Sequence, residues 1–365
     1  MAHGSRLVDL VQHRIEDFLA DRSLILRSIS PDLVPLDAFS KRFLSGGKRF
    51  RARFCYWGFE AVAGRGSPEP SDLFPIVSAA SALELFHAAA LVHDDLIDHS
   101  DTRRGAPSAH RLFERLHRDS DWAGDAAGYG SAAAILLGDL LLGWSDELLD
   151  EGLEAQPDRA RARAARAEFI RMRTEVTAGQ YLDILEEQAW RTRGDHEQRA
   201  HAERVIVFKS AKYSVESPLA IGAALAGATT HQLQSLRDFG LPLGIAYQLR
   251  DDLLGVYGDP EVTGKPAGDD LREGKRTMLV AIARERLGAG QRNLLDELLG
   301  DPDLDPDQVS MLQRTIEGCG AVDEVEALIG AWVAKAGDVL ADAPIDAGAK
   351  AELGALARDV ARRAS

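Results

Sequence analysis

Long apolar runs at helical spacing, in a chain with almost no strand signals, constrain this sequence most. SAAAILLGDLLLGW (131–144) and SPLAIGAALAG (217–227) carry no polar face over their middle turns. A helix that is apolar all round is buried among other helices. Elsewhere Ala, Leu, Arg and Glu recur at helical spacing, while short β-branched alternations between turn residues are hard to find. Gly and Pro gather at 63–72, 119–130, 154–161, 257–270 and 300–308, which predicts helices over 73–99, 131–151, 164–188, 203–227 and 232–256. No stretch reads as a linker. The expectation is all-α, a single domain over 1–365 in which helices pack on helices.

At 365 residues the chain is long enough for one large helical core. Its formal charge, 43 − 58 = −15, offers no basic field to draw in a nucleic acid. Cys55 and Cys319 are far apart and match no metal spacing, which fits a reducing cytoplasm. MAHGSRLVDLVQHRIEDFLADRS has no continuous apolar core, so neither a signal peptide nor an anchor is expected. No window of about 18 apolar residues is free of charge, so no membrane span is expected either.

Two apolar helical runs end in adjacent aspartates: LVHDDLIDHSD (91–101) and YQLRDDLLGVYGD (247–259). In the first, Asp94 and Asp98 lie one turn apart on one face, with Asp95 beside them and Asp101 near the next turn. Two carboxylates about 6 Å apart repel by roughly 3 kcal/mol at an effective dielectric of about 20. Such acids need a cation or full solvation. A solvated helix end is the plain reading, but acids at a helix C-terminus oppose the dipole, and the pattern recurs at Asp251 and Asp252. Oxygen-only ligands suit magnesium, which keeps much of its water and bridges to phosphate. Two such ends facing each other across a cavity would share metal ions around one diphosphate, and Arg103 and Arg104 would clamp the same anion.

The basic residues gather in the same way. SGGKRFRARF opens a helix with two glycines and then Lys48, Arg49, Arg51 and Arg53. Lys48 and Arg51 share one face, and a glycine-flanked N-terminus exposes backbone N–H groups to an anion. VTGKPAGDDLREGKRT sets Lys265 in a Gly/Pro loop, with Asp269, Asp270 and Lys275 after it, as a flap over phosphate would need.

Taken together, GGKRFR, LVHDDLIDHSDTRRG, KSA, YQLRDD and GKPAGDDLREGKRT stand in the order found in trans-isoprenyl diphosphate synthases, the polyprenyl synthetase family, which the chain resembles over about 45–276. The resemblance implies a bundle of mostly antiparallel helices around a deep central cavity, commonly a homodimer. It implies extension of an allylic diphosphate with isopentenyl diphosphate. By position, Asp94 and Asp98 would be the main magnesium ligands with Asp95 supporting, and Asp251 would bind a third magnesium with Asp252 near it. Arg103 would hold the allylic diphosphate and Arg104 the isopentenyl diphosphate, whose site Lys48, Arg51 and His87 would complete. Lys209, Ser210, Gln248, Lys265 and Lys275 would line the allylic diphosphate. Residues 277–365 read as packing helices without a motif.

Two positions depart from the family pattern. Gly255 stands where many members have a third Asp, which implies weaker metal affinity at the second motif; Ser210 replaces a frequent threonine and keeps the hydroxyl. Members that stop early tend to have aromatics at the positions of Ala89 and Ala90. With two alanines there, the next bulky residue is Phe86, roughly 12 Å along the axis from Asp94. That points to geranylgeranyl diphosphate, with farnesyl or longer products as alternatives. The two alanines also fit plain close helix packing. A class I terpene cyclase would share the ionisation but not need Lys48, Arg51 and Arg104, and a non-catalytic subunit should have lost an acidic motif. Glu84-x-x-His87 and Glu114-x-x-His117 match a di-iron bundle spacing, which leaves the aspartates and lysines unexplained. His93 and His99 are read as structural or as supporting neighbouring ligands, since nothing forces a ligand role on them.

Overall fold

Leu7, Val11, Ile15, Leu19, Ser23 and Leu26 recur every three or four positions, and all are buried, with Phe18 beside them, along one face of α1 (Ala2–Ile29). The computed structural model describes residues 2–64, 73–103, 105–259 and 267–361, with side chains from 6 to 360. The expected all-α class holds. In chain order follow α2 (Val34–Phe43), α3 (Phe50–Ala63), α4 (Phe74–Ile97), α5 (Ala109–Asp119), α6 (Ala126–Ala155) and α7 (Arg159–Ala189). Next come α8 (Gln198–Val205), a π-helical stretch (Ile206–Glu216), α9 (Ser217–Ala226) and α10 (Thr230–Tyr257). The chain closes with α11 (Asp269–Glu273), α12 (Met278–Arg286), α13 (Ala289–Leu298), α14 (Pro306–Gly318), α15 (Ala321–Asp342) and α16 (Ala347–Ala361).

Several boundaries have a local cause. α6 begins at Ala126, inside the expected loop, because the Asp125 side chain accepts from the Ala127 and Gly128 N–H groups at 3.1 and 3.0 Å. Thr229 and Gln232 form a reciprocal capping box at the start of α10. The run expected as one helix over 203–227 contains the π-helical turns, a winding that apolar spacing does not announce.

The helices sort into two units: Met1–Ala167 with Pro218–Ala228, and Glu168–Ser217 with Thr229–Ser365. In the first, α4 is the core helix and packs mainly along α6, with α3 and α1 beside it. Ser145 Oγ donates to Ala82 O at 2.7 Å, stitching α6 to α4. Burying Leu83 and Leu85 of α4 contributes about 2 kcal/mol each. α9 crosses α3 at Gly222, where a Cβ would fall 1.8 Å from Cys55 O. In the second unit α10 is central and packs on α15 and on the π-helical stretch, burying Phe239, Leu243 and Leu249. α12 is buried from Met278 through Arg284.

α4 and α6 are long and apolar enough to cross a membrane by length and composition, although Glu84 and Asp139 interrupt their apolar runs. The apolar window of α4 is 83% buried inside the protein, whereas that of α6 is 28% buried.

Candidate active site

In the first unit α4 delivers Asp94 and Asp95 in its last turn, and Asp98 is its C-cap. The Asp98 N–H donates to Asp94 O at 2.8 Å and the Ser100 N–H to Asp95 O at 2.9 Å; between them His99 takes a left-handed φ of +55°. The chain then enters a hairpin of two-residue strands, β1 (Thr102–Arg103) and β2 (Ala106–Pro107), with Arg103 paired to Ala106. This return brings Arg103 back onto the acids. Its Nε donates to Asp95 Oδ1 at 2.7 Å, its Nη2 donates to the same oxygen, and Nη2 lies 3.4 Å from Asp94 Oδ2. Asp95 is fully buried, so the guanidinium neutralises it, whereas Asp94 and Asp98 are partly exposed. His93 turns to α6, with Nε2 3.3 Å from Ile135 O.

The glycine-rich turn before α3 holds Gly46 at φ +69°, Gly47 at +90° and, without a glycine's freedom, Arg49 at +47°. The left-handed conformation costs a non-glycine residue roughly 1–2 kcal/mol. Lys48 is exposed, and Arg51 is buried in the first turn of α3. His87 lies half-buried on α4, with Phe86 and Ala89 buried and Ala90 half-buried beside it.

In the second unit α10 presents Gln248, Asp251 and Asp252. Asp251 is exposed; Asp252 is buried and accepts from Gln248 Nε2 at 2.7 Å. Burial pushes the Asp252 carboxyl up to about 7; the Gln248 amide and Lys209 oppose this, while the charges of Asp251 and Asp183 add to it. Lys209, from the π-helical stretch, donates to Asp183 Oδ2 on α7. Lys275 Nζ lies 3.4 Å from that same oxygen and 3.5 Å from Glu187. One buried carboxylate therefore gathers two ammonium groups that a diphosphate could take over. Ser210 is half-buried beside Lys209.

The polyprenyl synthetase family profile matches residues 35–316. The chain belongs to the polyprenyl synthetase family. It is 31% identical over 342 residues to the geranylfarnesyl diphosphate synthase of Aeropyrum pernix, covering 93% of this chain and 95% of that protein. It is also 31% identical to the geranylgeranyl diphosphate synthase of Sulfolobus acidocaldarius, over 76% of each. Among solved structures it is similar to the geranylgeranyl pyrophosphate synthase of Corynebacterium glutamicum complexed with isoprenyl diphosphate and magnesium. That match has a TM-score of 0.92 at 36% identity, over 99% of both chains.

Against this polyprenyl synthetase background, the fold gathers Asp94, Asp95, Asp98 and Arg103 in one cluster and Lys209 and Lys275 in another. Arg104 and Lys265 lie outside the described residues. Sequence reasoning missed Asp183, an acid in GQYLDILEEQ that looks like any solvated helix acid until the lysines close on it. It also gave Asp270 no role. A Cβ on Gly255 would fall 2.0 Å from Asp270 Oδ2, so this carboxylate occupies the space where a side chain at 255 would begin. The di-iron pattern loses both its acids: Glu84 pairs with Arg49, and Glu114 with Arg111 and Arg118. Among the described residues no three His, Cys, Asp or Glu side chains form a metal cage. Magnesium needs none, since one or two carboxylates, water and a phosphate complete its shell.

Proposed function

We propose that this chain catalyses head-to-tail condensation of isopentenyl diphosphate with an allylic diphosphate, releasing diphosphate. The observation that carries the reading is that acids and cations are already bonded at the first motif, Arg103 on Asp95, and beside the second, where Lys209 and Lys275 gather on Asp183 and the charges of Lys209 and Asp183 act on Asp252. The oxygen-only donor set at Asp94, Asp98 and Asp251 fits magnesium, which when bound supplies positive charge to a departing diphosphate. The allylic C1–O bond breaks heterolytically, and the electron pair leaves with the diphosphate, whose oxygens Arg103, Lys209 and Lys275 hold. Ser210 and Gln248 line that diphosphate, with Lys265. Lys48, Arg51 and His87 hold the second diphosphate, with Arg104. The isopentenyl double bond donates its pair to the allylic carbon, and a proton passes to the released diphosphate. Asp270 supplies the acid that position 255 lacks.

We read the whole chain as one synthase domain, because the family profile over residues 35–316 runs through both units. The buried small residue Ala89 with Ala90 beside it, and Phe86 deeper in α4, supports geranylgeranyl diphosphate as product. Relatives that make geranylgeranyl and geranylfarnesyl diphosphate are in keeping with it. Incubation of labelled isopentenyl diphosphate and magnesium with dimethylallyl, geranyl or farnesyl diphosphate tests both claims. A twenty-carbon product is expected. A fifteen-carbon product would overturn the chain-length account alone, and diphosphate release without incorporation would point to a cyclase.

A homodimer is proposed from the outer face of α6, where Ala132, Ile135, Leu136 and Gly143 are exposed at helical spacing and Leu136 retains 62% of its surface. Ile135→Glu with Leu136→Glu should sediment as a monomer where the wild type sediments as a dimer. The two cysteines, both free, support a cytoplasmic setting.

A further inference from the structure

Arg49 combines three unusual properties: a left-handed backbone without being glycine, a buried side chain, and a guanidinium shared between α1, α4 and the turn after α2. Its Nη2 donates to Gln12 Oε1 on α1 and to Leu44 O just past α2. Its Nη1 lies 3.4 Å from Glu84 Oε2 on α4, and both side chains of that pair are almost sealed, at 5% and 7% exposure. The other Glu84 oxygen accepts the Ala52 N–H at 3.1 Å, tying down the first turn of α3. A glycine would hold this backbone without strain, so what the arginine adds at this position is its side chain.

What surrounds the pair indicates its use. Lys48 precedes Arg49, Arg51 follows two positions on in the turn that Glu84 caps, and His87 is three residues beyond Glu84, on the same face of α4. We infer that the Arg49–Glu84 pair is a positioning device that sets Lys48, Arg51 and His87 for the isopentenyl diphosphate, a role resting on the function proposed above. Long cationic side chains lose freedom on binding, and a turn fixed beforehand reduces that loss. Neither residue needs to touch the substrate.

Arg49→Gly keeps the left-handed turn and deletes the guanidinium, while Glu84→Gln keeps the acceptor for Ala52 and deletes the charge. Calorimetry with isopentenyl diphosphate alone, which cannot react, should show binding about tenfold weaker in Arg49→Gly and about threefold weaker in Glu84→Gln. The KM for isopentenyl diphosphate should rise in parallel, with the KM for the allylic substrate changing less than about twofold. Glu84→Gln carries the test if Arg49→Gly fails to fold. Arg51→Ala is the control. If it weakens binding while neither other variant does, the inference is overturned and the site assignment stands. Equal effects on both KM values would also overturn it, as a merely structural role. If Arg51→Ala binds as the wild type does, the site assignment itself falls.

Discussion

The two double-aspartate helix ends look alike in sequence, and the fold treats them differently. Asp95 and Asp252 are each the second acid of the pair and each is buried. Asp95 meets the guanidinium of Arg103, so its charge is matched inside the protein. Asp252 meets the neutral amide of Gln248, and burial lifts its carboxyl to about 7. The cause is the chain path after each pair. α4 stops two residues past Asp95, and a hairpin swings Arg103 back; α10 runs on to Tyr257, and the partner that Asp252 meets is one turn back on its own helix. Burial thus dictates that a carboxyl find a partner, and local topology decides whether that partner is charged.

Removing the charged partner should give the largest effect. Arg103→Met leaves Asp95 without its guanidinium and should destabilise the protein by about 3 kcal/mol in urea melts, with a loss of activity. Wild-type stability would mean that the ion pair is not what permits Asp95 to be buried. Beside the second motif, Asp183, the acid shared by two lysines, is the sensitive point. Asp183→Asn should lower kcat by about 10²-fold in steady-state assays by misplacing Lys209 and Lys275; an unchanged kcat would break the claim that one carboxylate positions both.

Gly255→Asp tests whether the second motif is short of an acid or merely supplied from elsewhere. The new side chain meets the Asp270 carboxylate, so a loss of about 1–3 kcal/mol in thermal melts is expected. A gain in stability or magnesium affinity would show a real deficit. The smallest effect is a pH slope. Because Asp252 is raised above its ordinary 3.8 when folded, the folded protein holds this proton more tightly than the unfolded chain. Its stabilising contribution is complete below about pH 4 and is lost as the pH rises toward 7. Magnesium-free protein should therefore melt lower at pH 8 than at pH 5, and Asp252→Asn should flatten that slope.

The helix expected over 73–99 was legible because a long apolar run between Gly/Pro clusters has to be buried among other helices, and Pro75 through Phe86 of α4 are buried without a break. The π-helical winding around Lys209 was not, since the same residues satisfy either hydrogen-bond register. Nor were β1 and β2, each too short to leave an alternating pattern. Glu84 was noticed for the wrong reason, as half of a metal spacing, and its buried partner Arg49 was read only as one of a basic run.

By itself the sequence determined that this protein is helical and which acids and cations it has to work with, because apolar period, caps and charge are properties of neighbouring residues. Only the tertiary structure decided which cation meets which acid. Arg49 finds Glu84 across 35 positions, Lys209 finds Asp183 across 26 and Lys275 the same acid across 92. Pairing at that range is set by how buried helices pack, and packing leaves no local mark on the charged residues it brings together.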